Sequence, residues 1–477
     1  MKRLLIFAVC LSLRAQGPAT PPPPAGAQAT IPQPGLMQSA PEQFQGSVPA
    51  GQASATPIAL SLADAIDRGL KTNLGLLVRN TGTQLAQADR RRALSALLPN
   101  LQGNISLTEQ QLDLASLGFN FPALPIPKVI GPFGYQDARA ALSQTIFDET
   151  AWKNKRYAEQ SLKAAQLSVN DARDLVVESV ASAYLLIIAD GARADATKAV
   201  VDTAQALYQR AHDQHVAGVS PAIDELRAQV ELKTQQQNLL ALRNQLDHDK
   251  LALGRVIGFP PGQDFTLTET IPFKALEGIS PEKALQQALE TRPDYLSAQM
   301  QVRAAETARD AARGQRYPTA SVDANYGDIG TTFANSHGTF AVTGSIRFNI
   351  FDSGKIRSDV EQAEAALKQR KDALADLGGQ IDFQIRAALL DLKTAADQVT
   401  VAQDNLNLAN QTLTQARDRF SAGVADNIEV VQAQESVASA NQSVISSIYM
   451  HNLAKVSLAR AVGATETNLK QYMGGNP

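Results

Sequence analysis

The sequence predicts a mainly α-helical chain with four β-strands, built as a tandem duplication of one long-helix unit. Three observations lead there. Apolar residues recur every seven positions through stretches too long for a compact domain. Four short segments alternate apolar and polar residues instead. And "AGVSPAIDELRAQ" (217–229) returns in altered form as "AGVADNIEVVQAQ" (422–434), 205 residues later.

The duplication extends beyond that turn. "KLALGRVIG" (250–258) and "KVSLARAVG" (455–463) agree at the same offset, and "TIFDET" (145–150) and "NIFDSG" (349–354) at 204. Further upstream Ser61/Ser280, Ala65/Ala284, Leu70/Leu289, Thr72/Thr291 and Pro99/Pro318 agree at 219. The first copy therefore holds about fifteen extra residues, in a Pro/Gly/aromatic loop around 113–135. Each unit reads in one order: a helix (about 61–95 and 280–314), a proline, two strands, a very long helix, the small turn, and a second helix. The expected units are 58–258 and 280–463, joined by a linker at 259–279 and followed by a tail at 464–477.

The N-terminus reads as a leader. Lys2 and Arg3 precede an apolar run from Leu4 to Leu13 and a small residue at Ala15, the layout of a signal peptide over 1–15. Cys10, the only cysteine, falls inside that run. A lipid-anchored cysteine needs a small residue before it, and Val9 is not one, so lipidation at Cys10 is not expected. Residues 16–57 hold ten of the 23 prolines and are expected to be a disordered or PPII-like linker. With 44 Lys+Arg against 47 Asp+Glu, nothing global points to nucleic acid.

The strands are expected at about 100–109, 136–146, 319–328 and 338–350. In the first, Leu101, Ile105 and Leu107 alternate with Gln102, Asn104, Ser106 and Thr108. In the third, Ser321, Asp323 and Asn325 form the polar set. In the fourth, Phe340, Val342, Ile346 and Phe348 alternate with Thr343, Ser345 and Arg347. The second strand alternates imperfectly, with Gln144 out of phase. A half-buried sheet of a soluble protein gives this pattern, and so does a transmembrane barrel.

The helices carry the rest. Ile385, Leu392, Val399, Leu406, Leu413 and Phe420 are spaced seven apart, and Val360, Leu367, Leu374 and Ile381 hold the same spacing upstream. The two runs are offset by four at Gly378–Gly379, a stutter that locally unwinds a coiled coil. Copy one repeats the seam at Val180, Ile187, Ala194, Val201 and Tyr208. A continuous helix from Lys355 to Phe420 would be about 100 Å long at about 1.5 Å per residue.

Catalytic chemistry has nothing to stand on. There is no GxxxxGK[ST], HExxH, GxSxG or Cys–His cluster, so neither an enzyme nor a cofactor is expected. His212 and His215 stand at i, i+3. A metal pair is one reading, and exposed polar residues at a helix end are the simpler one. The turns hold more. Gly218 and Gly423 suit a left-handed helix end, Ser220 or Asp426 a cap, and Pro221 a first turn. Exposed Val219 and Val424 beside the glycines, and the carboxylates of Asp224 and Glu429 further on, are left without a structural reason.

The duplicated plan, the "IFDSGKIR" step from strand to helix and the "RFSAGVADNIEVVQAQ" turn resemble the TolC family of outer-membrane efflux ducts, over about residues 58–465. The resemblance implies a long α-helical coiled-coil barrel plus four transmembrane β-strands per chain. Four strands cannot close, and an open edge in lipid leaves backbone groups unpaired; three chains supply twelve, so a homotrimeric 12-stranded barrel in outer-membrane lipid is expected. Gln102, Asn104, Ser321, Asp323 and Asn325 would line its lumen, and Phe340, Val342, Ile346 and Phe348 would meet lipid. The turns would form the periplasmic entrance, with Gly218, Val219, Gly423 and Val424 docking a periplasmic adaptor (membrane fusion protein) coupled to an inner-membrane pump. Asp224, Asp426 and Glu429 would stand at the gate. Phe420, Ala425 and Gln432 depart from the family pattern, so the family's tyrosine–arginine–aspartate latch is not expected. Two rival readings are a periplasmic adaptor and a coiled-coil scaffold. The first lacks duplicated strand pairs, and the second leaves the strands unexplained.

Overall fold

The computed structural model describes residues 44–114, 116, 118, 127–270, 272–276, 279–422, 424, 427–463 and 465. The expected leader with Cys10, most of the linker, Gly423, Ala425 and Asp426, and the tail beyond Thr465 lie outside them.

The elements are β1 (Ile58–Leu60), α1 (Leu62–Thr72), α2 (Leu74–Ser95), β2 (Asn100–Asp113), β3 (Val129–Phe147), α3 (Glu149–Val216) and α4 (Ala222–Val256). Then follow β4 (Phe265–Leu267), α5 (Pro281–Thr291), α6 (Pro293–Gly314), β5 (Thr319–Gly330), β6 (Ser336–Arg347), α7 (Lys355–Ser421) and α8 (Asn427–Val462). The order helix, helix, strand, strand, long helix, helix thus runs twice. At 68 and 67 residues, α3 and α7 are each about 100 Å long.

Each long helix starts on a motif aspartate. Asp148 accepts a hydrogen bond from the Ala151 amide at 2.9 Å, and Asp352 accepts from the amides of Ile356 at 2.8 Å and Gly354 at 3.1 Å. These bonds hold the Asp352 carboxyl below the usual range. The seams pack most tightly toward the sheet-proximal and middle turns: Val180, Ile187 and Ala194 on α3, and Val360, Leu367, Ile381, Ile385, Leu392 and Val399 on α7, are buried, while Val201, Tyr208, Leu374, Leu406, Leu413 and Phe420 are half-buried. α3 contains a stretch apolar enough, by length and composition, to cross a membrane. Its residues Val176, Val177, Val180, Tyr184 and Ile187 lie instead in a core with Leu253, Ile257 and Val456.

Several expectations need correction. The helices expected at 61–95 and 280–314 are each two helices. Asn73 breaks the first because its side-chain oxygen caps α2, accepting from the Gly75 and Leu76 amides, while its side-chain Nδ2 donates to the Phe44 carbonyl at 2.7 Å. Arg292 breaks the second: it precedes Pro293, which disfavours helical backbone, and takes φ −63°, ψ 120°. The linker expected through residue 57 ends sooner. Phe44 is buried, the Val48 amide donates to the Thr72 carbonyl and the Ala50 amide to that of Gly258, and β1 pairs in parallel with β4 from the inter-repeat segment. The strands also run longer than expected, except that β6 stops at Arg347, leaving Phe348 just past its end.

β2, β3, β5 and β6 form one antiparallel sheet in that order. Its register sets Leu101 opposite Leu142, Leu142 opposite Ala324, and Ala324 opposite Val342. Gln144, out of phase in the sequence, donates its amide to the Leu97 carbonyl at 3.0 Å, beside a register shift at Thr145/Phe147.

Candidate functional site

Two surfaces stand out: the sheet, and the ends of the two long hairpins. Cross-strand partners in an antiparallel sheet share a face. One face carries Gln102, Asn104, Asp323, Asn325 and Ser321, together with Arg139, which the sequence reading missed. The Arg139 guanidinium donates to the Asn325 side chain, to Thr339 at 3.3 Å and to Asp137 at 3.2 Å, and the hydroxyls of Ser321 and Ser345 lie 3.0 Å apart. This face is a hydrogen-bonded polar lattice. The other carries Leu101, Ile105, Phe340, Val342 and Ile346, all exposed. A soluble sheet buries such a face. Here no described element covers it.

Exposed aromatics collect where the strands meet the helices: Phe147, Trp152, Tyr317, Phe348 and Phe351. Phe348 therefore belongs with this group rather than with the strand face. The outer edges of β2 and β6 have no strand partner among the described residues.

At the first hairpin end, α3 stops at Val216. Gly218 takes φ +72°, the left-handed region that favours glycine. Its amide donates to the His215 carbonyl and that of Val219 to the Gln214 carbonyl, which ties off the helix. Val219 is thrust outward and exposed, and so is Val424 at the second end. Ser220 is not the expected cap: Pro221 holds that position, and the Ser220 hydroxyl donates to Asp224 at 3.1 Å.

The acids at these ends are not free. Asp224 lies 3.7 Å from Arg227, and Glu429 lies 3.2 Å from Arg419. Arg419 thus supplies a cation although Ala425 stands where the family has arginine. Phe420 offers its ring face to Arg210 of α3, 5.4 Å from the centroid, which links the two hairpins. His212 and His215 each donate from Nδ1 to Glu225, at 2.8 and 2.5 Å. Bonds from His212 and then His215 hold the Glu225 carboxyl below its usual range. The sequence marked the histidines, but their partner sits one helix away.

A third cluster lies in the body of the bundle. Arg460 of α8 reaches Asp171 and Glu178 of α3, at 2.5 and 3.9 Å. Burial pushes the Glu178 carboxyl up to about 7, opposed by the charges of Arg460 and Arg292.

A sheet with one uncovered apolar face, set on helices about 100 Å long, is the fold of an outer-membrane channel protein with a helical extension. The comparisons agree. The chain matches the outer membrane efflux protein family over residues 65–259 and 284–464, and it belongs to that family of outer-membrane transport channels. It is 24% identical over 489 residues to the pyoverdine export outer membrane protein OpmQ of Pseudomonas aeruginosa, covering 97% of each chain. It is 26% identical over 321 residues to the toluene efflux pump outer membrane protein TtgC of Pseudomonas putida, where the match spans 66% of this chain and 64% of that relative. Among solved structures, the CmeC outer membrane channel of Campylobacter jejuni has a TM-score of 0.75 at 18% identity, over 91% of this chain and 95% of that one. VceC of Vibrio cholerae has 0.72 at 18%, over 84% and 96%. These likenesses show the shared fold.

Proposed function

We propose that the chain is the passive exit duct of a tripartite export system, three copies of which close a 12-stranded barrel in the outer membrane. The uncovered apolar sheet face carries this reading. In water it would be an aggregation hazard, and in a membrane it is the required outer surface. The polar lattice around Arg139 then lines a wet lumen. The exposed aromatics at the helical end form the girdle that marks a membrane boundary, and closure satisfies the free edges of β2 and β6.

Below the girdle the long helices continue the tube toward the periplasm. The matched offsets make each chain a tandem duplication, so three chains give a pseudo-sixfold wall. Val219, on the turn fixed by Gly218, and Val424, at the second hairpin end, dock a periplasmic adaptor. The adaptor couples the duct to an inner-membrane pump, which supplies the energy. Asp224 and Glu429 ring the entrance. Since Arg227 and Arg419 offset both acids in each chain, the ring is a set of ion pairs more than an unscreened anionic collar. TtgC and OpmQ are named for toluene and pyoverdine, and a wide lumen suits small export substrates of this range.

Membrane fractionation tests the reading. The expected result is a detergent-extracted trimer from the outer membrane whose gel mobility changes on heating. A soluble periplasmic monomer would reject it.

A further inference from the structure

A hollow of about 470 Å³ between the sheet-proximal ends of α2 and α3 carries charge that the chain itself does not use. Its lining includes Arg90, Arg156, Glu159 and Lys163. Three cations thus face one acid, and that acid is already engaged: Glu159 lies 3.6 Å from Arg90 and 3.1 Å from Lys155. Arg156 and Lys163 are exposed and have no hydrogen-bond or ion-pair partner among the described residues. In the second copy, by contrast, Arg309, Arg313, Arg357 and Lys371 of α6 and α7 are each held by an acid.

The hollow opens on the same side as the chain's single tryptophan. At 3.6 residues per turn, Arg156, Glu159 and Lys163 lie within about 40° of Trp152 around α3. Trp152 and Phe147 are exposed, and Phe147 stands opposite Ala320, which stands opposite Ile346. This side therefore continues the apolar face of the sheet. Along the axis, Arg156 lies about 6 Å and Lys163 about 16 Å beyond Trp152. Helical side chains lean toward the N-terminus, which in α3 is the end at the sheet, so both cations reach back toward the indole. The polar layer on each side of a bilayer is about 5–8 Å thick. An exposed aromatic ring with unpaired cations a turn deeper matches the order of acyl chain and phosphate in a phospholipid.

We infer that this hollow seats the headgroup of an anionic glycerophospholipid from the periplasmic leaflet of the outer membrane. Arg156 and Lys163 hold the phosphate, and Trp152 covers the upper part of the acyl chains. A zwitterionic headgroup brings its own ammonium and gains less from two unpaired cations, whereas a net negative one neutralises them. The inference rests on the barrel reading and adds to it a lipid preference at one of the two membrane boundaries.

Trp152 reads the seat directly, because no other tryptophan contributes. The full chain is reconstituted in phosphatidylethanolamine nanodiscs, and brominated phosphatidylglycerol or brominated phosphatidylethanolamine is titrated in at equal mole fraction. Bromine quenches indole fluorescence at contact, so phosphatidylglycerol should quench more strongly. Arg156→Gln and Lys163→Gln should each lower that preference about 5-fold, and the double variant should bring the two lipids level. Both positions are exposed and unpaired, so these variants should fold, which the heat-dependent gel shift checks. Arg357→Gln removes an exposed cation from the sheet-proximal end of α7 and should leave the preference unchanged, as should a millimolar excess of inorganic phosphate. Equal quenching by both lipids in the wild type, a preference that survives the double variant, an equal loss in Arg357→Gln, or abolition by inorganic phosphate would each overturn the lipid seat and leave the duct standing. No quenching by either lipid would place Trp152 away from the bilayer and overturn the barrel reading with it.

Discussion

Placing arginine at Val342 tests which solvent the sheet faces. Val342 is the seventh of the twelve residues of β6, in the row with Leu101, Leu142 and Ala324. The apolar band of such a barrel is about 25 Å tall, and arginine at its midplane costs about 2–4 kcal/mol, falling to about 0–1 kcal/mol at the interfaces. Ile346 lies four residues closer to the helical end. At about 3.3 Å per residue and a tilt of about 40°, that is about 10 Å nearer the boundary, close to half the band. Val342→Arg should therefore cost about 2–4 kcal/mol per chain and Ile346→Arg about 0–1 kcal/mol. In the proposed trimer, three copies per barrel raise the midplane loss to about 6–12 kcal/mol. Thr343→Arg, one residue along but on the lattice side, should carry no lipid penalty. Urea titration in phospholipid vesicles, read by the heat-dependent gel shift, measures each loss. If Val342→Arg and Thr343→Arg are equally costly, or Ile346→Arg costs more than Val342→Arg, the apolar face does not meet lipid.

The remaining expectations concern the helical part. Gly258 has φ +69°, and a Cβ there would lie 2.5–2.6 Å from the Thr72 side chain; Gly258→Val should cost about 3 kcal/mol or more from strain and overpacking, seen as a drop in melting temperature. Glu178, with a carboxyl raised to about 7 by burial, favours the folded state most fully below its ordinary value. That contribution is lost as pH rises from about 4.5 to 7, because the unfolded carboxyl ionises first. Glu178→Gln should therefore flatten the fall in melting temperature across that window and raise stability at pH 8 relative to wild type; equal losses at both ends of the window would exclude this. At the hairpin ends, Glu429→Gln with Asp224→Asn leaves Arg419 and Arg227 uncompensated, so cation selectivity in planar bilayers should fall. Unchanged selectivity would remove both acids from the entrance.

What the sequence determined by itself is everything carried by a local period. Spacings of seven placed the seams of α3 and α7, and an alternation of two placed β2, β5 and β6. The offsets of 204, 205 and 219 located matching elements in the two halves, and glycine at 218 marked a turn its φ requires. These signals survive because neighbouring residues alone decide which face a side chain occupies. Only the tertiary structure decided the rest. Nothing in Asn73 announces a helix break until Phe44 arrives to take its amide, and the same contacts turn a proline-rich segment into a docked one. The histidine pair gains meaning from Glu225 on the following helix, and Glu429 from Arg419 across the turn. Arg460 and Arg255 hold matching positions in the two copies, yet one is half-buried among acids and the other is exposed, because only one of them has the opposite half of its own chain beside it. Matching positions in a repeat diverge where the partner surface differs, and that surface exists only once the chain has folded.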